Sequence, residues 1–459
     1  MPFEILIIIF LISFSFITYT RFNLGLFFLF LLFPTYLIKL SIGPLPTTLL
    51  ELMIGIILVI WVIKFHKNII YHLSSIIKKN KLLFISSLIF LTAATISIYT
   101  AIDIKSAAGE WKAFYIEPFL IFLILITTLT KGTGVQGHKD TTKLKMKNEN
   151  KKQVSNFQFP ISLSCDLIIF GLILSGLATS ILAIYQHFTG WMVPWDFWQN
   201  LDTFRVTGWY GYPNGVGLFL APLLPLALYQ TKQYYKMIHK KRLEDYKIKN
   251  LSIFQSFNLP SLAYFFPLIT AIIFIPASIL AIFFAKSTGA LIGVASGLGL
   301  LLLFYKKTRV LTILFLVFCF LFLVSLPADN LIKQELSFQD RSGQIRISMW
   351  TETLEFLSDH PIAGAGLTSY KQKIVPYHTT VNGEGIEIFP HPHNIFLIMW
   401  VNLGLLGLVG FLGILFWFFY NSLKIRRLEY LKIGNNSVFQ SSNLSIFLLS
   451  SMTVIIVTG

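Results

Sequence analysis

The chain has 459 residues, of which 55% are hydrophobic and only 13% charged, and its formal net charge is +16. Soluble globular proteins carry about a quarter charged residues, so this balance excludes an ordinary soluble domain. The excess of Lys and Arg does not point to nucleic acid, because it sits in short segments between apolar runs, where cytoplasmic loops of membrane proteins carry it.

Apolar runs recur at roughly 3–20, 22–42, 45–64, 82–100, 109–130, 165–187, 213–231, 260–283, 287–305, 309–328, 393–420 and 444–459. Runs of about 18 or more apolar residues cross a hydrocarbon core of roughly 30 Å. Backbone in lipid must satisfy its own hydrogen bonds, so these runs are predicted helices. The alternation of a membrane β-barrel is absent from the sequence. The expectation is a single all-α integral membrane domain over 1–459, a polytopic transmembrane helical bundle of about 11–12 spans. Only Arg21, Phe22 and Asn23 separate the first two runs, which form either two spans or one span with a re-entrant piece. The first run lacks a basic leader and a small-residue cleavage site, and it is read as a retained span. The sequence stops at Gly459 within an apolar run that has no polar anchor, and a carboxyl-terminal continuation is expected.

Basic connections are predicted at 64–81, 131–164, 232–259, 306–309 and 421–443. Of these, 131–164 and 232–259 are the larger cytoplasmic loops, the first a flexible Lys/Asn/Thr-rich linker. The segment 329–392 falls on the opposite side and sets Lys333, Arg341, Arg346, Lys371 and Lys373 against eight Asp and Glu. It is predicted to be a large extracytoplasmic loop containing short helices. Within it, Ile345, Met349, Leu354 and Leu357 approximate helical spacing. Asp340 stands as the helix cap, and Pro361 ends the helix. This helix either supports and covers the spans or contacts substrate. Cys165 and Cys319 lie far apart in apolar runs, and neither a disulfide nor a zinc site is predicted.

His393-Asn394 stands where the long loop ends and an apolar run begins, nine residues before Gly404-Leu405-Leu406-Gly407. A neutral imidazole takes up a proton near physiological pH. Its place at the mouth of the bundle suggests chemistry on a substrate carried in the bilayer; the bland alternative is that the pair only caps the helix. The two glycines permit close helix packing. Arg205 stands in the outer loop 188–212, in Phe204-Arg-Val-Thr-Gly-Trp-Tyr-Gly-Tyr-Pro-Asn214. Its guanidinium either holds phosphate oxygens or snorkels to lipid head groups. Trp191, Trp195, Trp198, Trp209, Tyr210 and Tyr212 suit a membrane interface. Lys286, in a three-residue turn, binds an anion or faces lipid. His378 and His391 accompany His393, but His-x-His alone is a weak metal signal and no metal is expected. Glu51, Glu110 and Glu117, near or in spans, keep a transporter reading open.

Together these residues resemble the O-antigen ligase and O-antigen polymerase superfamily of bacterial membrane glycosyltransferases, most clearly over roughly 200–420. The ligase signature is His, then Asn, Ser or Gln, nine residues, and Gly-x-x-Gly, which fits His393-Asn394 and Gly404–Gly407. Arg346-Ile-Ser-Met-Trp350, His360-Pro-Ile-Ala-Gly364-Ala-Gly366, His391-Pro-His-Asn394 and Arg205-Val-Thr-Gly208 with Pro213-Asn214 also resemble the family. The resemblance implies a GT-C-like fold and transfer of a glycan from an undecaprenyl diphosphate-linked carrier to a hydroxyl of a glycan, lipid or protein acceptor. It implies no metal or cofactor, a multi-pass position among the lipids of the bacterial plasma (inner) membrane, and no nucleic-acid partner. It assigns catalysis to His393 and Arg205, and substrate binding to Lys286, Asn394, Arg341, Arg346 and His391. The chain departs from the family at Ser287-Thr288-Gly289-Ala290, where the family often has Ser-Arg-Gly-Ala, so Thr288 replaces a second phosphate-binding arginine. Lys286 stands in for it only if the helix starts after Lys286. Three readings follow: a ligase-type transferase, with polymerase and protein O-oligosaccharyltransferase as variants; a solute transporter; and an inactive relative.

Overall fold

The computed structural model describes residues 3–43, 45–129, 165–200, 204–249, 259–327, 330, 333–334, 337–381, 384–385, 387–430 and 437–459. The predicted linker 131–164 lies outside the described residues, as does 250–258 of the second basic loop.

Prolines decide where several apolar runs stop being helix. The chain opens with α1 (Phe3–Thr20) and α2 (Phe22–Leu31), parted by Arg21 alone. The run predicted to 42 ends early. Pro34, which has no N–H to donate, sits in a 3₁₀ turn over Phe33–Leu37. The chain then forms an antiparallel hairpin of β1 (Lys39–Ile42) and β2 (Leu45–Thr48), with Lys39 opposite Thr48. The Thr48 hydroxyl accepts from the Glu51 N–H at 3.2 Å and caps α3 (Leu49–Lys79). The basic stretch 64–81 is therefore not a loop: without Gly or Pro to break it, α3 continues to Lys79, and only Asn80 precedes α4 (Lys81–Tyr99). Next come α5 (Ile104–Trp111), a π turn over Lys112–Ile116, and α6 (Glu117–Leu129). The ring of Pro118 clashes with the carbonyl four residues earlier, which accounts for the widened turn before it.

The second half begins with α7 (Cys165–Thr189) and the short α8 (Asp196–Gln199). The predicted span 213–231 is broken at Pro222 into α9 (Pro213–Leu220) and α10 (Leu223–Lys249), and α10 carries on through basic residues expected in a loop. There follow α11 (Leu259–Phe284), α12 (Thr288–Phe304), α13 (Lys306–Ser325), α14 (Arg341–Asp359), α15 (Tyr370–Lys373), the strand pair β3 (Thr380–Val381) and β4 (Glu384–Gly385), α16 (Ile395–Tyr430) and α17 (Ser437–Thr458). Among the described residues, eight helical segments are long and apolar enough to cross a membrane, and three shorter apolar helices join them. The protein is thus a polytopic all-α membrane protein, as the sequence predicts.

One core packs α7, α9, α10, α11, α12 and α17 around Ile173, Leu220, Phe274 and Ile282, all fully buried. A second joins α1, α2, α3 and α6 around Leu26, Met53, Ile57 and Ile124. The α4 and α16 helices lie against each other so closely that a Cβ at Gly410 would strike the Phe90 backbone. Side chains such as Leu311 and Phe318 of α13 point outward, as befits a helix whose solvent is lipid.

The segment around α14 forms a lobe over one end of the bundle. Asp340 caps α14, accepting from the N–H groups of Ser342 and Gly343 at 3.1 and 3.2 Å. The buried face is Met349, Glu352, Thr353, Phe356 and Leu357; Leu354, expected on it, is exposed. Buried Glu352 accepts from Ser348 Oγ (2.9 Å) and from the Thr379 N–H (3.0 Å) and Oγ1 (2.7 Å), and it pairs with His378 at 3.2 Å. Burial alone would raise the Glu352 pKa, but these partners hold it below the usual carboxylate range. Lys373 Nζ donates to the carbonyls of Thr100 (2.9 Å) and Ala365 (2.7 Å), tying the lobe to the end of α4.

Candidate active site

Beneath this lobe lies a cavity of about 570 Å³. Arg205, Lys286, Arg346, His391, His393 and Asn394 all line it, beside apolar side chains that include Leu218, Ile292 and Ile398. Six of the seven residues predicted for the site are thereby gathered from separate stretches of chain. Arg341 is the exception: it is exposed and absent from the lining. Gly343, Arg346 and Trp350 recur at helical spacing on the cavity face of α14, whereas Arg341 lies about 140° round from Arg346.

The guanidinium of Arg205 is held in place. Its Nε donates to the Ala285 carbonyl at 2.8 Å, and Nη2 donates to the Lys286 carbonyl and to Asn214 Oδ1, both at 3.0 Å. The group stacks over Trp198, 5.1 Å from the ring centre. Among the described residues Nη1 has no protein partner, which leaves its two N–H groups for a ligand. Burial and the neighbouring Arg346 charge lower the Arg205 pKa. Among the described residues, Asp340 is the only acidic side chain in the lining, and its oxygens cap α14.

Lys286 occupies the turn between α11 and α12 with φ 47°, a backbone conformation that a residue with a Cβ adopts rarely. The α12 helix begins at Thr288, after Lys286. The condition set by the sequence is therefore met: Lys286 precedes the helix and lies beside Arg205 on the cavity wall. Thr288, Gly289 and Ala290 of the first turn of α12 line the cavity too, so the positive end of that helix faces it.

His393 also has a positive φ, 50°, and its ring lies edge-on to His391 with centres 4.4 Å apart. Trp350 Nε1 donates to the Pro392 carbonyl at 2.8 Å and fixes this corner against α14. Burial, then His391, then Arg346 pull the His393 pKa down to about 4. Burial lowers His391 as well. Both rings are therefore neutral at physiological pH, and His393 has room for a proton. Asn394 is the helix cap foreseen as the bland reading: its Oδ1 accepts from Phe396 N–H (3.0 Å) and Leu397 N–H (3.3 Å). Its amide nitrogen has no protein partner among the described residues.

The other singled-out groups lie elsewhere. His378 belongs to the Glu352 cluster, and among the described residues no three His, Cys, Asp or Glu are grouped to hold a metal ion. Cys165 and Cys319 are free thiols. Glu51 pairs with Lys112 at 2.7 Å and accepts from Thr47 Oγ1 at 2.6 Å. Sequence reasoning gave no site role to the Ala285 carbonyl, read Trp198 only as an interfacial aromatic, and quoted Asn214 and Trp350 only within segments that resemble the family, although all four hold the site together. Asn214 carried a weak signal, following Pro213 at a helix start; the others depend on contacts between distant segments.

Apolar helices with a cation-lined, histidine-bearing cavity at one end define a multi-pass membrane protein. Residues 272–412 match the family described as O-antigen ligase. This segment runs from α11 into α16 and contains Lys286, Arg346, His391, His393 and Asn394; Arg205 reaches the cavity from outside it. That match covers under a third of the chain; over this segment the chain is similar to the O-antigen ligase family, and in broad terms this supports a membrane glycosyltransferase of ligase or polymerase type, which uses a lipid-linked glycan and an acceptor. No curated protein matches the chain.

Proposed function

We propose that this protein moves a glycan from an undecaprenyl diphosphate carrier to an acceptor hydroxyl, as an O-antigen ligase-type transferase that uses no metal, at the outer face of the bacterial plasma membrane. The observation that carries the proposal is the meeting of Arg205, Lys286, Arg346 and His393 on one cavity at the mouth of the bundle. In the reaction the acceptor oxygen attacks the anomeric carbon. The bond from that carbon to the diphosphate oxygen breaks, and the carrier diphosphate leaves with the electron pair. Negative charge grows on the leaving group while the acceptor gives up a proton.

The cavity residues fit both demands. Arg205 through Nη1, Lys286 and Arg346 stabilise the diphosphate. His393 accepts the proton of the hydroxyl, and His391 and the Asn394 amide nitrogen contact substrate. A bound diphosphate would offset the charge of Arg346 and so raise the pKa of His393. Lys286 and the first turn of α12 supply the positive potential that the family obtains from an arginine at the position of Thr288. That compensation favours an active enzyme over an inactive relative. The lobe around α14 excludes water from the site and limits hydrolysis of the carrier.

The test is transfer in proteoliposomes, with undecaprenyl diphosphate-linked glycan, a panel of glycan, lipid and protein acceptors, and EDTA present. Transfer by the wild type and none by His393→Ala is the expected result, and the acceptor used separates ligase from polymerase and from protein O-oligosaccharyltransferase. No transfer by folded wild-type protein with the whole panel would reject the reading.

A further inference from the structure

We infer that Gln186 is a positioning residue for the Arg205 arm, an inference that rests on the diphosphate-binding role proposed for that arginine. Gln186 lies near the end of α7 and is fully buried. Its Oε1 accepts from the N–H groups of Thr207 and Gly208 at 3.1 and 2.8 Å, and its Nε2 donates to the Gly208 carbonyl at 3.1 Å. One side chain thus gives the loop what a neighbouring β-strand would give it. A buried amide is costly unless its polar atoms are paired. Here all three bonds go to the backbone of the Arg205-Val-Thr-Gly208 segment.

The rest of the segment explains how this bears on the arginine. Val206, between Arg205 and the clamped residues, is fully buried, and its N–H donates to the Phe284 carbonyl at 3.4 Å. The guanidinium itself rests on the carbonyls of Ala285 and Lys286. The arm is therefore pinned on one side by α7 through Gln186 and on the other by the end of α11, where the chain turns through Lys286. Without Gln186 the N–H groups of Thr207 and Gly208 lose their acceptor, and the loop has reason to shift toward other partners. Arg205 then no longer presents Nη1 at a fixed place beside Lys286, and the cost of ordering it falls on ligand binding.

The experiment measures the affinity of the full chain in nanodiscs for undecaprenyl diphosphate, comparing wild type, Gln186→Met, Arg205→Ala and the double variant. Methionine keeps the length and packing of the side chain while removing the hydrogen bonds. The expected losses are about tenfold or more for Arg205→Ala and about fivefold for Gln186→Met. In the Arg205→Ala background, Gln186→Met should add less than about twofold, because a residue that acts through another has nothing left to act on. Wild-type affinity in Gln186→Met, or an undiminished Gln186→Met loss in the Arg205→Ala background, would overturn the inference. Unchanged affinity in Arg205→Ala would instead remove the diphosphate role on which it rests. If Gln186→Met does not fold, Gln186→Asn decides, since its shorter side chain keeps the amide but withdraws it from Thr207 and Gly208. A loss of about threefold or more that vanishes in the Arg205→Ala background then supports the clamp, and wild-type affinity or a loss that persists in that background speaks against it.

Discussion

His393 combines two properties that have opposite effects on a base. It is neutral and so ready to accept a proton, yet burial, His391 and Arg346 depress its pKa to about 4. The sign follows directly: the ring is competent above that value and is lost as a base when the pH falls through it. The acid limb of kcat/KM, which reports the free enzyme, should therefore lie near pH 4 rather than near the ordinary 6.5 of histidine; a limb at 6.5 would contradict the described burial. His393→Ala should abolish transfer while leaving the amount of folded protein unchanged. Arg205→Ala should reduce carrier binding, and Arg205→Lys should restore it only in part, because an ammonium cannot reproduce contacts to Ala285, Asn214 and Lys286 while also offering two N–H groups to a ligand. His393, Asn394, Arg205 and Lys286 were all legible in the sequence, since unusual polar residues at the edges of apolar runs stand out. Gln186 was not, because a glutamine inside an apolar helix gives no local hint that its partners lie some twenty residues further on.

Elements carry the site by being fixed to one another at a few backbone contacts. Gly404, inside α16, adopts φ 68°, and a Cβ there would overlap the Ile362 carbonyl oxygen. Leu405 N–H donates to that same carbonyl at 3.1 Å, so the lobe and the start of α16 share one joint. Gly404→Ala should therefore move or unfold this joint, lowering both thermal stability and transfer; a variant as stable and active as wild type would refute the account. Glu352→Ala should destabilise the lobe by about 1 kcal/mol, the cost of removing the buried carboxylate that Ser348, Thr379 and His378 share, readable as a lower Tm. The sequence foretold α14, its cap and its end, because those signals are local. It misjudged Leu354, because the face that packs is chosen by the lobe and not by hydrophobicity alone. It also ran α2 too far and cut α3 and α10 too short: hydropathy marks where lipid lies, whereas proline and capping decide where helix ends.

At the scale of the whole molecule, the proposal requires the lobe and its cavity to face outward. The sequence supports this through charge: the Lys- and Arg-bearing ends of α10 and α16 lie away from the ends that meet the cavity, and α3 ends in Lys78 and Lys79 beside the start of α4, whose far end holds the lobe at Thr100; cytoplasmic segments retain such charge. Cysteine labelling measures the orientation directly. In a background where Cys165 and Cys319 are replaced by serine, Thr351→Cys would place a thiol on the exposed side of α14, and Lys78→Cys would place one on the exposed last turn of α3. A membrane-impermeant maleimide should label Thr351→Cys in intact cells and Lys78→Cys only after permeabilisation. The reverse pattern would put the cavity on the cytoplasmic side, where a carrier already turned outward cannot reach it, and an outer-face transferase would then have to be given up whatever the residues of the site.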